Sequence, residues 1–172
     1  HHEFRLFVLA LDEPTRVVIN ERADERIFIT PLELMETDEL CLAKSNRSQL
    51  EYYWTLTPYW TRLVLDAFHL PHVAYVDADS FLFAPLDALY REIDHAEIAI
   101  IPHRFPQRLK WRERSNGIYN VNFVYFANTR TARLALDDWC DSCLAWCYRK
   151  SENGRFADQS YLDVWPRTYQ AH

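Results

Sequence analysis

The stretch AYVDADSFLF sets two aspartates, Asp77 and Asp79, one residue apart between two apolar runs. In extended backbone their side chains leave on the same side. Carboxylates held that close repel unless a cation or a proton stands between them. Oxygen donors of this kind suit a hard divalent ion, Mg2+ or Mn2+. Such an ion can bridge onward to a diphosphate and make it a competent leaving group. The plainer reading is a strand ending in an aspartate-capped turn. The context favours chemistry: an apolar strand precedes the pair, and the Pro-started segment APLDAL follows it.

Other residues join this pair as weaker candidates. Asp158 and Gln159 follow Gly154 in GRFADQSYLDVW. There an aspartate is either a helix cap or a polar group aimed outward. His103 follows IIP at a strand end, either lining a cleft or lying in a solvated loop. Lys44 and Arg47 precede a helical stretch and are either phosphate partners or surface charges. Arg62 is read as structural. Tyr52, Tyr53, Trp54, Tyr59 and Trp60 are read mainly as core, with one member free to stack on a sugar or base. Arg104, Arg108, Lys110, Arg112 and Arg114 surround Trp111 as either a solvated face or a lip for an anionic substrate.

The elements that must carry these residues follow from patterning. FRLFVLAL (4–11) reads as a strand covered on both faces. A helix follows to about Arg22, capped by Asp12 with Pro14 in its first turn. RIFIT (26–30) is a second strand. A helix is expected from a Thr30 cap and Pro31 through Lys44. The stripe over 48–68 is helical, and Pro58 is expected to divide it into two helices with Thr57 as the second cap. HVAYVDAD (72–79) and AEIAIIP (96–102) are strands around a short helix at 85–93. GIYNVNFVYFAN (117–128) is strand-rich, 129–150 is a long helix, and 156–165 is a last helix stopped by Pro166. This alternation argues for an α/β sandwich with a mostly parallel central sheet. Its ligand would sit beyond the carboxyl ends of the strands, where Asp77 falls.

The bulk numbers narrow the function classes. The chain has 172 residues, 49% hydrophobic and 15% aromatic, enough for one domain with a real core. A net charge of -6 argues against nucleic acid as a partner. No apolar run reaches the roughly 20 residues of a membrane span, and no signal peptide is evident. His1 and His2 are given no role. Cys140, Cys143 and Cys147 fall on one helix face and read as buried core thiols rather than a zinc site. With Cys41 they are expected to be reduced, in a cytoplasmic protein. Only Gly117 and Gly154 are present, so neither a P-loop nor G-x-G-x-x-G can be built.

YVDADSFLFAPLDALY resembles the D-x-D segment of GT-A nucleotide-sugar glycosyltransferases, especially those similar to glycosyltransferase family 8. GIYNVNFVYFAN, GRFADQSYLDVWP and AKSNRSQLEYYWTLTPYW are similar to further segments of a bacterial subgroup, in the same order. The resemblance implies a GT-A-like αβα sandwich and a metal-dependent hexosyl transfer, of the retaining type, from a nucleotide diphosphate donor, a UDP-sugar above all. It implies Asp79 as main metal ligand, with Asp77 at the ribose and the metal. Asn120 or Asn122 would face sugar or acceptor, and Asp158 with Gln159 the donor sugar. It also implies that the 172 residues lack the family's first strand–helix unit and its C-terminal metal-ligand segment. Two rivals remain: a non-catalytic sugar-binding or interaction domain on the same scaffold, and a nucleotidyltransferase, against which the missing glycines speak.

Overall fold

The computed structural model describes residues 4–22 and 24–172; His1 and His2 lie outside them. The chain divides into two compact units, His1–Ser45 and Asn46–His172. It is mixed α/β. Among the described residues, no helix is long and apolar enough to cross a membrane.

In the first unit, strands β1 (Leu6–Ala10) and β2 (Ile27–Pro31) pair in parallel, joined by helix α1 (Glu13–Asn20). Asp12 caps α1 as expected, its Oδ1 accepting from the Thr15 amide at 2.8 Å. The helix expected from Thr30 begins later. Thr30 and Pro31 end β2, a 3-10 turn follows at Leu32–Leu34, and α2 runs Asp38–Ser45. Thr37 Oγ1 accepts from the Leu40 amide and opens α2 instead.

The second unit holds the remaining elements. Helix α3 (Gln49–Ala67) opens with a reciprocal capping box between Ser48 and Glu51. It runs unbroken through Pro58, which corrects the two-helix expectation. Pro58 has no N–H to bond the Trp54 carbonyl one turn back. Burial of Tyr52, Leu56, Trp60, Val64 and Leu65 holds the helix together across that missing bond. Then come β3 (His72–Val76), α4 (Asp87–Glu92), β4 (Ile98–Pro102), α5 (Arg112–Asn116), β5 (Tyr119–Ala127), α6 (Arg130–Ala145) and α7 (Trp165–Thr168). Asn153 and Gly154, both at positive φ, make the tight turn that Gly154 suggested. Pro166 lies in the first turn of α7 rather than ending a helix.

The mostly parallel central sheet is corrected here. The second unit's sheet has the order β3-β5-β4, and β5 is antiparallel to both neighbours. A parallel return needs a crossover, usually a full helix. Between β4 and β5 the chain offers only a 3-10 turn and the five-residue α5. At the other side of β4, the His172 backbone bonds Ile98 and Ile100. The core beneath the sheet is aromatic: Trp139 and Trp165 meet edge-to-face at 5.5 Å, and Phe126 lies 5.7 Å from Trp165.

Candidate functional site

A cavity of about 90 Å³ in the second unit is lined by Trp54, Asp77, Asn120, Val121, Phe156, Ala157, Asp158 and Gln159. Besides Trp54 on α3, three segments far apart in sequence converge on it. Each is delivered by a local irregularity.

Asp77 leaves the end of β3, its amide still donating to the Asn122 carbonyl at 3.1 Å. The chain then turns, with the Ser80 amide donating to the Asp77 carbonyl at 3.0 Å. Asp77 is half-buried and Asp79 is exposed. Burial raises the Asp77 pKa, and the charge of Asp79 adds to the rise. Neither carboxylate is in an ion pair among the described residues. Such a pair of hard oxygen donors fits Mg2+ or Mn2+ held with few protein ligands, its other positions left to water and phosphate oxygens. No group of three or more His, Cys, Asp or Glu arranged to hold a metal is found among the described residues.

Asn120 and Asn122 sit where the β4–β5 register slips between Ile100 and Ile101. Such irregularities re-aim side chains. The Asn122 amide turns to the Asn120 side-chain oxygen at 3.1 Å, and Asn122 Nδ2 donates to Ser80 Oγ at 2.8 Å. Asn120 lines the cavity, while Asn122 braces the turn after Asp77.

Asp158 follows Ala157, whose φ of 49° lies in the left-handed region. That sharp turn drives Asp158 inward, to 4% exposure, and it caps nothing. Trp139 Nε1 anchors the turn by donating to the Asp158 carbonyl at 2.8 Å. Burial raises the carboxyl pKa to about 7, with the charge of Asp77 contributing. Gln159 Nε2 donates to the Asn116 carbonyl at 2.5 Å and stands 3.1 Å from His103 Nε2. Next to this contact, Gly117 has φ 102°, and a Cβ there would stand 3.2 Å from Ser160 Cα. The Ile118 amide donates to Asp163 Oδ1 at 2.7 Å, closing the same seam.

Sequence reading missed two groups behind the carboxylates. Tyr75 donates its hydroxyl to Asp77 Oδ1 at 2.9 Å. Burial first, then the Asp77 charge, raises the Tyr75 pKa, so the phenol stays a neutral donor. Thr57, buried on α3, stands beside both Tyr75 and Asp158. Period-two spacing in β3 was the available signal, since Tyr75 and Asp77 share a side.

The basic candidates go elsewhere. Arg47 Nη1 donates to Thr55 Oγ1 and, at 2.8 Å, to the Cys143 carbonyl; Nη2 donates to the Leu144 carbonyl at 2.5 Å. Its guanidinium is therefore spent on the last turn of α6. Lys44 belongs to the first unit, where its ammonium pairs with Glu36 at 2.7 Å. Arg62 pairs with Asp137 at 3.2 Å, the structural part expected of it.

Two proteins of Bacillus subtilis (strain 168) are similar to this chain. Uncharacterized protein YfnD is 30% identical over 172 residues, covering 98% of the chain and 55% of its own length. Uncharacterized protein YfnF is 28% identical over 165 residues, covering 92% of the chain and 54% of its own length. The chain thus spans about half the length of these curated relatives. No family model and no solved structure matches it.

Proposed function

We propose that this chain forms the donor site of a metal-dependent glycosyltransferase of GT-A type. It would move a sugar from a nucleotide diphosphate, a UDP-sugar by resemblance, to an acceptor. The observation that carries the reading is convergence: Asp77, Asn120, Asp158 and Gln159, chosen from three separate segments, line one cavity.

Asp79 and Asp77 would hold Mn2+ or Mg2+, whose charge offsets that of a departing diphosphate. The chain's own groups suit a polyhydroxylated ligand. Asp158, with its pKa near neutrality, can donate as well as accept while it keeps its proton. Asn120 offers an amide. Both Gln159 amide hydrogens are committed to Asn116 and His103, so Gln159 offers only its oxygen, an acceptor for a sugar hydroxyl. Trp54 adds an aromatic wall. Four unpaired thiols accord with a cytoplasmic setting.

The test is thermal melting with UDP, GDP, CDP or ADP, each with Mn2+ or EDTA, on this chain and on a longer one. A ligand at one hundred times Kd adds about 2.7 kcal/mol to the native state. The expected result is a Mn2+-dependent rise with UDP that disappears in Asp79→Ala, while the unliganded melting point stays unchanged. No rise with any nucleotide in either length would sink the transferase reading. Binding of free sugars alone would favour a sugar-binding domain.

A further inference from the structure

Asp77 is held by a contact that the D-x-D spacing does not require. A carboxylate at a strand end swings freely about its last torsion unless something takes one oxygen. Tyr75 does so: it projects from the same side of β3, and its hydroxyl takes Oδ1 at 2.9 Å. Among the described residues, no other hydrogen bond to the Asp77 side chain is seen, so Oδ2 is the oxygen left to a ligand. The Tyr75 proton is committed to Asp77, and Thr57 stands beside the phenol. Thr57 is itself fixed in the buried stretch of α3 beside Pro58.

We propose that Tyr75 is a positioning residue: it takes Asp77 Oδ1 and turns Oδ2 toward a divalent cation, with Thr57 beside the phenol limiting its swing. The inference rests on the donor-site reading and adds to it the group that orients the inner metal ligand. Partners that orient a ligating carboxylate change metal affinity by about 10–100-fold when removed.

The experiment follows free Mn2+ by electron paramagnetic resonance, with UDP present, in the wild type, Tyr75→Phe, Thr57→Val, Asp77→Asn and the Tyr75→Phe/Asp77→Asn double variant. Melting points are taken alongside. Tyr75→Phe is expected to weaken Mn2+ uptake about tenfold, and Thr57→Val to weaken it less. Added to Asp77→Asn, Tyr75→Phe should change uptake by less than about twofold, because it acts through Asp77. Equal uptake by wild type and Tyr75→Phe would overturn the proposal and leave the donor site standing. The same weakening in both backgrounds would mark a general structural effect and overturn it as well. No uptake by the wild type would bring down both readings together. If Tyr75→Phe melts before it can be titrated, Thr57→Val carries the same cycle with Asp77→Asn.

Discussion

Gln159 Nε2 stands 3.1 Å from His103 Nε2 and 2.5 Å from the Asn116 carbonyl. The carbonyl decides the arrangement, because it can only accept. The Gln159 amide therefore presents its NH2, and His103 Nε2 must be the bare ring nitrogen, with the proton on Nδ1. Burial holds the His103 pKa below its ordinary value. A protonated ring would also set two donors face to face. Nitrogen-detected NMR should show the Nδ1–H tautomer and a midpoint below about 6.5. The associated stability is present above that value and drains as pH falls through the native midpoint. A midpoint at or above it would refute the arrangement.

Asp158 gives the opposite sign. Its native pKa is raised to about 7, by burial first. The native state therefore keeps a proton that the unfolded chain gives up near pH 4. Stability from this residue is fullest below that range and falls as pH rises toward neutrality. Urea midpoints of wild type and Asp158→Asn should diverge in this sense from about pH 4.5 to 7.5, the wild type losing ground. Parallel profiles would show that the carboxyl is not held neutral.

Arg47 is expected to matter for folding. Its guanidinium bonds the Cys143 and Leu144 carbonyls, where α6 runs out of amide partners. Arg47→Ala should cost about 1.5–3 kcal/mol, the range for hydrogen bonds to a charged group. Denaturant titration measures it. A change below about 0.5 kcal/mol would place the residue among ordinary surface charges.

Much of this arrangement was legible, and the gaps have physical causes. Caps were readable where a polar side chain precedes an apolar stripe, as at Asp12. Strand positions were readable from runs such as VAYV and AIIP. Strand direction was not, because the local pattern of β5 is the same whichever way its neighbours run. Pro58 and Pro166 misled for different reasons: burial of α3 overrides the local preference of Pro58, whereas Pro166 falls in a first turn, where proline is favoured. The candidate site was legible in part. Asp77, Asn120, Asp158 and Gln159 do meet, but the pull of Asp158 inward depends on the backbone turn at Ala157. Arg47 was unreadable because its partners, the carbonyls at the end of α6, lie almost a hundred residues away.

The thiols supply a simple count. Cys140, Cys143 and Cys147 are buried and Cys41 is exposed. Burial pushes the Cys140 thiol up to about 12 and raises that of Cys143 as well. Thiolate is the reactive form. A chromogenic disulfide reagent should therefore label Cys41 quickly in the native protein and all four thiols in urea. Fast labelling of a second thiol without denaturant would contradict the packing of α6.

The seam between Gly117 and Ser160 also bears on how the protein is made. During synthesis Asp77 emerges from the ribosome with Tyr75 and α3, well before Asp158 exists. The opposite wall arrives only with the last stretch of the second unit, after α6. Until then the nascent chain carries a half-built pocket, its D-x-D turn open to solvent. Closing it is a long-range event whose entropy is settled late. A side chain at position 117 would crowd Ser160 Cα across that seam, so the late-arriving wall would seat less closely against the part already folded.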